Sequence, residues 1–334
     1  MHLPILDFNS DSTIDSVQNF SDKSTIIITD SYNYEIFKYH FKNIIHISDN
    51  DVNQINRIKD KYKYSKVIAI GGCTALDIGR AISKNNKLIL FPSILSTSCI
   101  SVNRSVLNKK GIHFIIKTQT PYKTIINLPL IIQTSKDELY RWSSSGLGDF
   151  ISNLSAIIDY VSINNQLNIK YLKQNQPYLF WAFKWLEKIE HTINEDFIIN
   201  LATLLHQSSV DVIQRDSLLF SSAGEHKLFH IMKEKFKYKE KDPTHGQLVA
   251  LGTLISVKIF CEITKSNNFF DYLKDLYKKW DLPYSYNTMN KIGIRQKELI
   301  LGLRILSNNY SNTFLGNYFR NKSNFNILDN IFVE

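Results

Sequence analysis

Three segments in the second half of the chain place metal-ligating side chains beside glycines. They are Gly146-Leu147-Gly148-Asp149, Gly224-Glu225-His226 with His230 four residues later, and Thr244-His245-Gly246. The pattern of apolar residues after each segment predicts that each one begins a helix. One carboxylate and two imidazoles with an open position are typical of a catalytic divalent-metal site. Structural roles remain open as well, because Asp149 could cap its helix and a lone histidine could simply pack.

A second group of candidates surrounds two glycines in the first half of the chain. The segment Gly71-Gly72-Cys73-Thr74-Ala75-Leu76-Asp77 separates a β-branched run from a stretch of helical spacing. Glycines let the backbone approach a ligand, and the helix N-terminus behind them presents free N–H groups and a positive dipole end. The segment therefore suits a pyrophosphate. It lacks the G-x-G-x-x-G spacing of the common dinucleotide fingerprint, and a Gly-Gly turn between strand and helix also occurs without any ligand.

Another loop, Pro92-Ser93-Ile94-Leu95-Ser96-Thr97-Ser98, follows the next predicted strand. Both loops would lie at the carboxyl ends of parallel strands, where open α/β sheets bind ligands. Asp30 ends an earlier strand and could accept a ribose hydroxyl; no arginine adjoins it, which favours NAD over NADP. The predicted cofactor-binding residues are Asp30, Gly71, Gly72, Cys73, Asp77, Ser93, Ser96 and Thr97.

The first half of the chain alternates short apolar runs with amphipathic stretches, which predicts strands and helices that would position these loops. The predicted strands are 25–29, 43–47, 66–70, 87–91 and 124–127, with a hairpin around Asn108-Lys109-Lys110-Gly111. Continuous apolar strands separated by helices indicate a parallel sheet with helices on both faces. Later residues show helical periodicity, with helices predicted at 149–163, 170–193, 196–213, 225–236, 246–264, 269–280 and 296–307. We therefore predict an α/β dinucleotide-binding domain at 1–135 and an all-helical metal and substrate domain at 136–334.

The composition narrows the class of protein. The 334 residues carry 40 basic and 31 acidic side chains, a net charge of +9. These charges are dispersed without an arginine cluster, which favours a solvated surface over nucleic-acid binding, and a positive field would attract anionic small molecules. Three cysteines without C-x-x-C spacing favour a reducing compartment. No signal peptide is visible, and the apolar run 248–263 contains Lys258 and Glu262 and is too short to span a bilayer, so we predict a cytoplasmic protein without membrane insertion.

Five ordered motifs resemble the superfamily of iron-dependent alcohol dehydrogenases, glycerol dehydrogenases and dehydroquinate synthases. The family patterns G-G-G-[ST]-x-x-D, P-T-x-x-S-T-D, G-x-G-D, E-H-x-x-x-H and H-G-x-x-V-A-x-G are matched at 71–77, 92–98, 146–149, 225–230 and 245–252. The resemblance covers about 25–264. It implies NAD(H) or NADP(H) at the glycine loop, a homo-oligomer, and one divalent ion (zinc, nickel or iron) held by Asp149, His226 and His245.

Within the superfamily, segments 145–153 and 222–226 look most like the sn-glycerol-1-phosphate dehydrogenases. The sugar-phosphate cyclases instead carry K-x-x-x-N where this chain reads Val102-Asn103-Arg104-Ser105-Val106, and Glu where it has Asp149. The resemblance implies reversible hydride transfer to a small, phosphorylated ketone such as dihydroxyacetone phosphate. His230 would bind the substrate phosphate, relay a proton, or merely pack, and Arg104 is a second phosphate candidate. A dehydroquinate synthase-like cyclase and a nucleotide-binding protein without catalysis remain alternatives.

Four positions depart from the family patterns. Cys73 replaces the third glycine, Ile94 replaces a threonine, Ser98 replaces the aspartate that contacts polyol hydroxyls, and Asn127 replaces an aspartate at a strand end. These departures leave the substrate open and are compatible with a specialised or an impaired enzyme.

Overall fold

The computed structural model describes residues 2–83, 87–236, 238 and 242–333. The strands are β1 (Ile5–Asn9), β2 (Thr25–Thr29), β3 (Ile44–His46), β4 (Lys66–Gly71), β5 (Lys87–Pro92), β6 (Arg104–Lys109), β7 (Ile112–Lys117) and β8 (Lys123–Asn127). The helices are α1 (Thr13–Gln18), α2 (Ser31–Phe37), α3 (Val52–Lys61), α4 (Cys73–Ser83), α5 (Leu128–Ile132), α6 (Lys136–Ile163), α7 (Ile169–Asn175), α8 (Pro177–Lys188), α9 (Glu195–Arg215), α10 (Gly224–Lys235), α11 (His245–Thr264), α12 (Asn267–Lys279), α13 (Tyr286–Lys291), α14 (Gln296–Asn309), α15 (Phe314–Tyr318) and α16 (Ile327–Phe332).

Six strands form one parallel sheet in the order β1-β8-β5-β4-β2-β3. Helices cover both of its faces: α3 and α4 pack on one through residues such as Ile55 and Leu76, and α2 and α5 pack on the other through Phe37 and Leu130. The predicted parallel sheet is thus confirmed. The connections change direction between β2 and β4, and such a switch point forms a ligand-binding crevice at the carboxyl ends of the strands.

Of the remaining strands, the hairpin was predicted from the sequence and the edge strand was not. The hairpin of β6 and β7 is confirmed, and its turn is closed by the side chain of Asn108, which accepts a hydrogen bond from the Gly111 N–H. Strand β1 was not predicted. It is a partly exposed edge strand, so it lacks the continuous apolar run of its buried neighbours.

The structure divides into two compact units. The first comprises Met1–Ser143 and Ile193–Asp216, and the second Ser144–Thr192 and Ser217–Glu334. The segment 193–216 was predicted in the helical domain, whereas here α9 is grouped with the sheet, and its Ser209 Oγ donates to the Ser98 carbonyl after β5. The assignment of domains at 1–135 and 136–334 stays a prediction.

The second unit is built around α11, which packs against α10, α12 and α16. Among the described residues this is the one helix that is long and apolar enough to cross a membrane by length and composition, and 78% of that window is buried within the fold. Burial to this extent is usual for the central helix of a core.

Two helix predictions were wrong at their boundaries. The segment Gly146–Asp149 does not begin a helix but lies inside α6, whose first residue is Lys136. The helix predicted at 170–193 is two helices, α7 and α8, which meet at Gln176 because Pro177 has no N–H to continue the earlier helix.

Candidate metal centre and nucleotide loop

One carboxylate and two histidines converge in the second unit. His245 Nε2 lies 2.9 Å from Asp149 Oδ1 and 3.2 Å from His226 Nε2, and His226 Nε2 is 3.8 Å from the same Oδ1. One ligand atom from each residue lies within 4.8 Å of the others, and no other such group occurs among the described residues. Atoms bound to one ion at about 2 Å lie about 3 to 4 Å apart, and the distances of 2.9, 3.2 and 3.8 Å within the set therefore fit a single divalent cation.

The two histidines occupy helix starts, as predicted. His226 is the third residue of α10, and His245 is the first residue of α11. Thr244 caps α11 by accepting from the Gln247 N–H, while the Gln247 side chain accepts from the Thr244 N–H. This reciprocal capping box fixes the backbone that carries His245.

Asp149 lies inside α6 rather than at a helix start, and a close crossing of α6 and α11 brings it to the cluster. A Cβ on Gly148 would lie 2.3 Å from the Gly246 carbonyl oxygen, and a Cβ on Gly246 would lie 1.7 Å from that of Ser145. The Ser145 hydroxyl also accepts from the Gly246 N–H. The glycines therefore bring two backbones into contact, which places the residue after Gly148 against the residue before Gly246.

Charge inside the cluster favours metal binding. Burial by itself would raise the pKa of Asp149, but hydrogen bonds from His226 and His245 lower it well below its ordinary value. Burial likewise opposes charge on His226, yet Asp149 and Glu225 raise its pKa to about 9. The carboxylate is therefore ionised, and a cation would displace the histidine proton, since a ligating imidazole is neutral. Two imidazoles and a carboxylate suit zinc, nickel or iron.

The two residues predicted to act on the substrate have different surroundings. His230 is exposed, one turn after His226 on α10, and its ring contacts that of Phe229. Arg104 lies in the first unit, where its guanidinium pairs with Asp216 at 2.6 Å and donates to Asn103. Neither belongs to the Asp-His-His cluster.

The glycine loop lies at the switch point of the sheet. Gly71 ends β4 with a φ of +144°, and a Cβ there would lie 2.2 Å from Asp30 Oδ2. That oxygen accepts from the Gly72 N–H at 3.0 Å, while Oδ1 accepts from Asn33 at the start of α2. Asp30 and the two glycines, predicted separately, thus lie together at the ends of neighbouring strands.

Most of the other predicted loop residues join this group. Cys73 begins α4, and its Sγ lies 3.3 Å from Thr97 Oγ1 and 3.8 Å from Ser96 Oγ. A hydrogen bond with Cys99 lowers the pKa of the Cys73 thiol. Ser93, after β5, accepts from the side-chain amide of Asn33 at 3.2 Å.

Asp77, unlike the other predicted cofactor-binding residues, is engaged in a buried ion pair. The residue is 4% exposed, and its carboxylate forms a 2.8 Å ion pair with Arg80, which also donates to the Cys99 carbonyl. Burial raises the pKa of Asp77 despite this partner.

The departure from the family pattern at Asn127 has a structural explanation. The amide oxygen of Asn127 caps α5, and its amide nitrogen donates to Asn9.

The parallel sheet and the helical unit together have the fold of the iron-containing alcohol dehydrogenases and glycerol dehydrogenases of known structure. Glycerol dehydrogenase from Schizosaccharomyces pombe is similar with a TM-score of 0.69 at 15% identity, over 99% of this chain and 90% of that one. Sulfoacetaldehyde reductase from Bifidobacterium kashiwanohense, solved with NAD+, gives 0.64 at 14% identity, over 99% and 97% of the two chains.

In sequence, the chain is similar to enzymes named glycerol-1-phosphate dehydrogenase [NAD(P)+]. The one from Methanococcus maripaludis is 25% identical over 297 residues, 86% of this chain and 84% of the relative. The one from Archaeoglobus fulgidus is 24% identical over 248 residues, 72% and 67%. No protein-family model matches the chain. These similarities confirm the resemblance to the superfamily, and the names agree with the prediction of a dehydrogenase with a nicotinamide cofactor.

Proposed function

We propose that the chain is a metal-dependent NAD(P)(H) oxidoreductase that interconverts dihydroxyacetone phosphate, or a similar phosphorylated ketone, with its alcohol. The convergence of Asp149, His226 and His245 carries this proposal, since one carboxylate and two imidazoles at these distances can hold a divalent ion. In the reductive direction a hydride from the nicotinamide adds to the carbonyl carbon, and a proton adds to the oxygen. The sequence relatives support the choice of reaction.

The helical unit would hold the ion, and the glycine loop would hold the cofactor. A divalent ion would stabilise the negative charge that develops on the substrate oxygen, while the nicotinamide supplies the hydride. Gly72 and the N-terminus of α4 would hold the pyrophosphate, which needs a close approach to the backbone. Asp30 would accept a ribose hydroxyl, and its negative charge would disfavour the 2′-phosphate of NADP.

A phosphorylated substrate is favoured by charge. The chain carries +9, Ser98 removes a carboxylate from the loop after β5, and His230 is an exposed imidazole one turn from the cluster. Arg104 is a weaker candidate because Asp216 and Asn103 already accept hydrogen bonds from its guanidinium. His230 is the stronger candidate for the phosphate because it lies on the same helix as the proposed ligand His226, one turn further along.

The proposal is tested by following NADH oxidation after loading the protein with zinc, nickel or iron. We expect turnover with dihydroxyacetone phosphate at higher kcat/KM than with free dihydroxyacetone. Phosphate release without net loss of NADH would instead identify a cyclase. Binding of metal and NADH without turnover on any ketone would identify a nucleotide-binding protein without catalysis.

The substrate phosphate is tested through His230. We expect His230→Ala to raise KM for dihydroxyacetone phosphate roughly tenfold, because a charge-assisted hydrogen bond is lost, and to leave the free ketone unaffected. Lys235→Ala, at the far end of α10, is the matched control for removing one basic side chain. An equal rise in KM for both ketones would contradict the role of His230.

The cysteines bear on the cellular location of the protein. The three cysteines, Cys73, Cys99 and Cys261, are free thiols, which supports a reducing, cytoplasmic location. We propose a small molecule as the partner and neither nucleic acid nor membrane, and a homo-oligomeric state stays a prediction.

A further inference from the structure

A fully buried glutamate lies directly behind one of the candidate metal ligands. Glu225 has no exposed surface, and its Oε1 lies 2.6 Å from His226 Nδ1, the ring nitrogen on the far side from the cluster. The same oxygen accepts from the Ala223 N–H at 2.9 Å. No hydrogen-bond partner of the other oxygen, Oε2, is found among the described residues. A buried carboxylate loses its hydration, which costs free energy, and a positive charge on or bound to the adjacent His226 would offset this cost.

The surrounding backbone holds this glutamate in place. A Cβ on Gly252 of α11 would lie 2.8 Å from the Glu225 Cβ, so no larger residue fits there without displacing the glutamate. The Gly224 N–H donates to Asp159 Oδ2 at 3.1 Å, and the Phe314 N–H donates to Asp159 Oδ1. The start of α10 is thereby tied to α6 and to α15, which fixes the direction of the Glu225 side chain.

We propose that Glu225 is a positioning residue that orients His226 for metal binding. A carboxylate only accepts hydrogen bonds, so it keeps the imidazole proton on Nδ1 and leaves the lone pair of Nε2 directed at the ion. It also makes the imidazole a stronger electron donor, as carboxylate partners of metal-bound histidines do. This inference rests on the proposed metal-dependent function.

The test measures zinc affinity rather than turnover. The full chain is stripped with a chelator, and its zinc dissociation constant is determined by competition with a chromophoric chelator, together with the melting temperature of the zinc-free protein. Glu225→Gln keeps the shape and an acceptor oxygen but removes the charge. We expect its zinc affinity to fall about 10- to 100-fold with the melting temperature of the zinc-free protein unchanged. Glu234→Gln, an exposed residue of the same helix, is the control and keeps the parent affinity.

A second variant covers the case in which Glu225→Gln folds poorly. Gly252→Ala leaves every side chain of the cluster intact but displaces Glu225, and we expect it to weaken zinc binding as well. Zinc affinity within twofold of the parent in the folded variants, or a lower melting temperature without a change in affinity, would overturn the positioning role. If the parent itself binds none of zinc, nickel or iron, the proposed function fails and this inference fails with it.

Discussion

At the scale of single residues, burial controls the protonation of His206 on α9. Its Nδ1 lies 2.8 Å from the hydroxyl of Ser101, which in turn donates to Thr124 Oγ1. Burial lowers the pKa of His206 to about 4, because the charged imidazolium is poorly solvated there. In the unfolded chain a histidine titrates near 6.5.

This shift predicts a pH dependence of stability. Between pH 6.5 and 4, residue 206 binds a proton in the unfolded chain but not in the folded one, so the free energy of unfolding falls as the pH falls. The His206→Gln variant should take up about one proton fewer on unfolding. Its free energy of unfolding, measured by urea unfolding between pH 6.5 and 4, should therefore depend less on pH than that of the parent. His113→Gln, exposed on β7, is the control. An unchanged slope for His206→Gln would disprove the assignment.

At the scale of secondary-structure elements, the crossing of α6 and α11 explains how a carboxylate in the middle of one helix meets a histidine at the start of another. The contact depends on two glycines, Gly148 and Gly246, where the backbones leave no room for a Cβ. A side chain at either position must push the helices apart, and Asp149 and His245 would separate with them.

We therefore predict a double effect of Gly246→Ala. The free energy of unfolding should fall by about 3 kcal/mol, because the new methyl group forces a backbone shift, and zinc affinity should fall as well. Glu262→Ala, exposed near the end of the same helix, should change stability by no more than about 0.5 kcal/mol and leave zinc binding intact. Chemical unfolding and chelator competition measure the two effects. Parent-like stability of Gly246→Ala would show that the crossing can relax.

At the scale of the whole molecule, the glycine loop and the Asp-His-His cluster belong to different compact units. Each ligand should stabilise the folded protein by mass action, by about 2.7 kcal/mol at a hundredfold excess over its dissociation constant. Their effects can be separated by variants, since Gly72 and His245 lie in different units.

The prediction is a crossed pattern of thermal shifts. His245→Ala should abolish stabilisation by zinc and keep that by NADH, because one ligand of the cluster is lost. Gly72→Val should abolish stabilisation by NADH and keep that by zinc, because the side chain blocks the pyrophosphate; its Cβ would meet only the flexible Ile94 side chain, at 3.2 Å. Thermal denaturation with each ligand measures both effects. Stabilisation by zinc that persists in His245→Ala, or stabilisation by NADH that persists in Gly72→Val, would refute the assignment of that site.

Much of the architecture is encoded locally and was therefore predictable. The buried strands β2, β4 and β5 are continuous apolar runs, and the glycine loop and His245 adjoin elements that periodicity and capping residues already indicate. These features depend on neighbours within a few positions of the chain, so the order of these particular elements follows from the sequence alone.

The tertiary structure decided which side chains are buried and which distant backbones meet. The sequence predicted a helix start at 146–149 and a cofactor-binding role for Asp77. Packing instead makes the first segment a helix crossing and pairs Asp77 with the buried Arg80. Glu225 adjoins a predicted ligand, but only the fold shows that its carboxylate is fully buried against His226. Such roles depend on how closely two backbones approach, as at Gly148 and Gly246, and local periodicity carries no record of a neighbour about a hundred residues away.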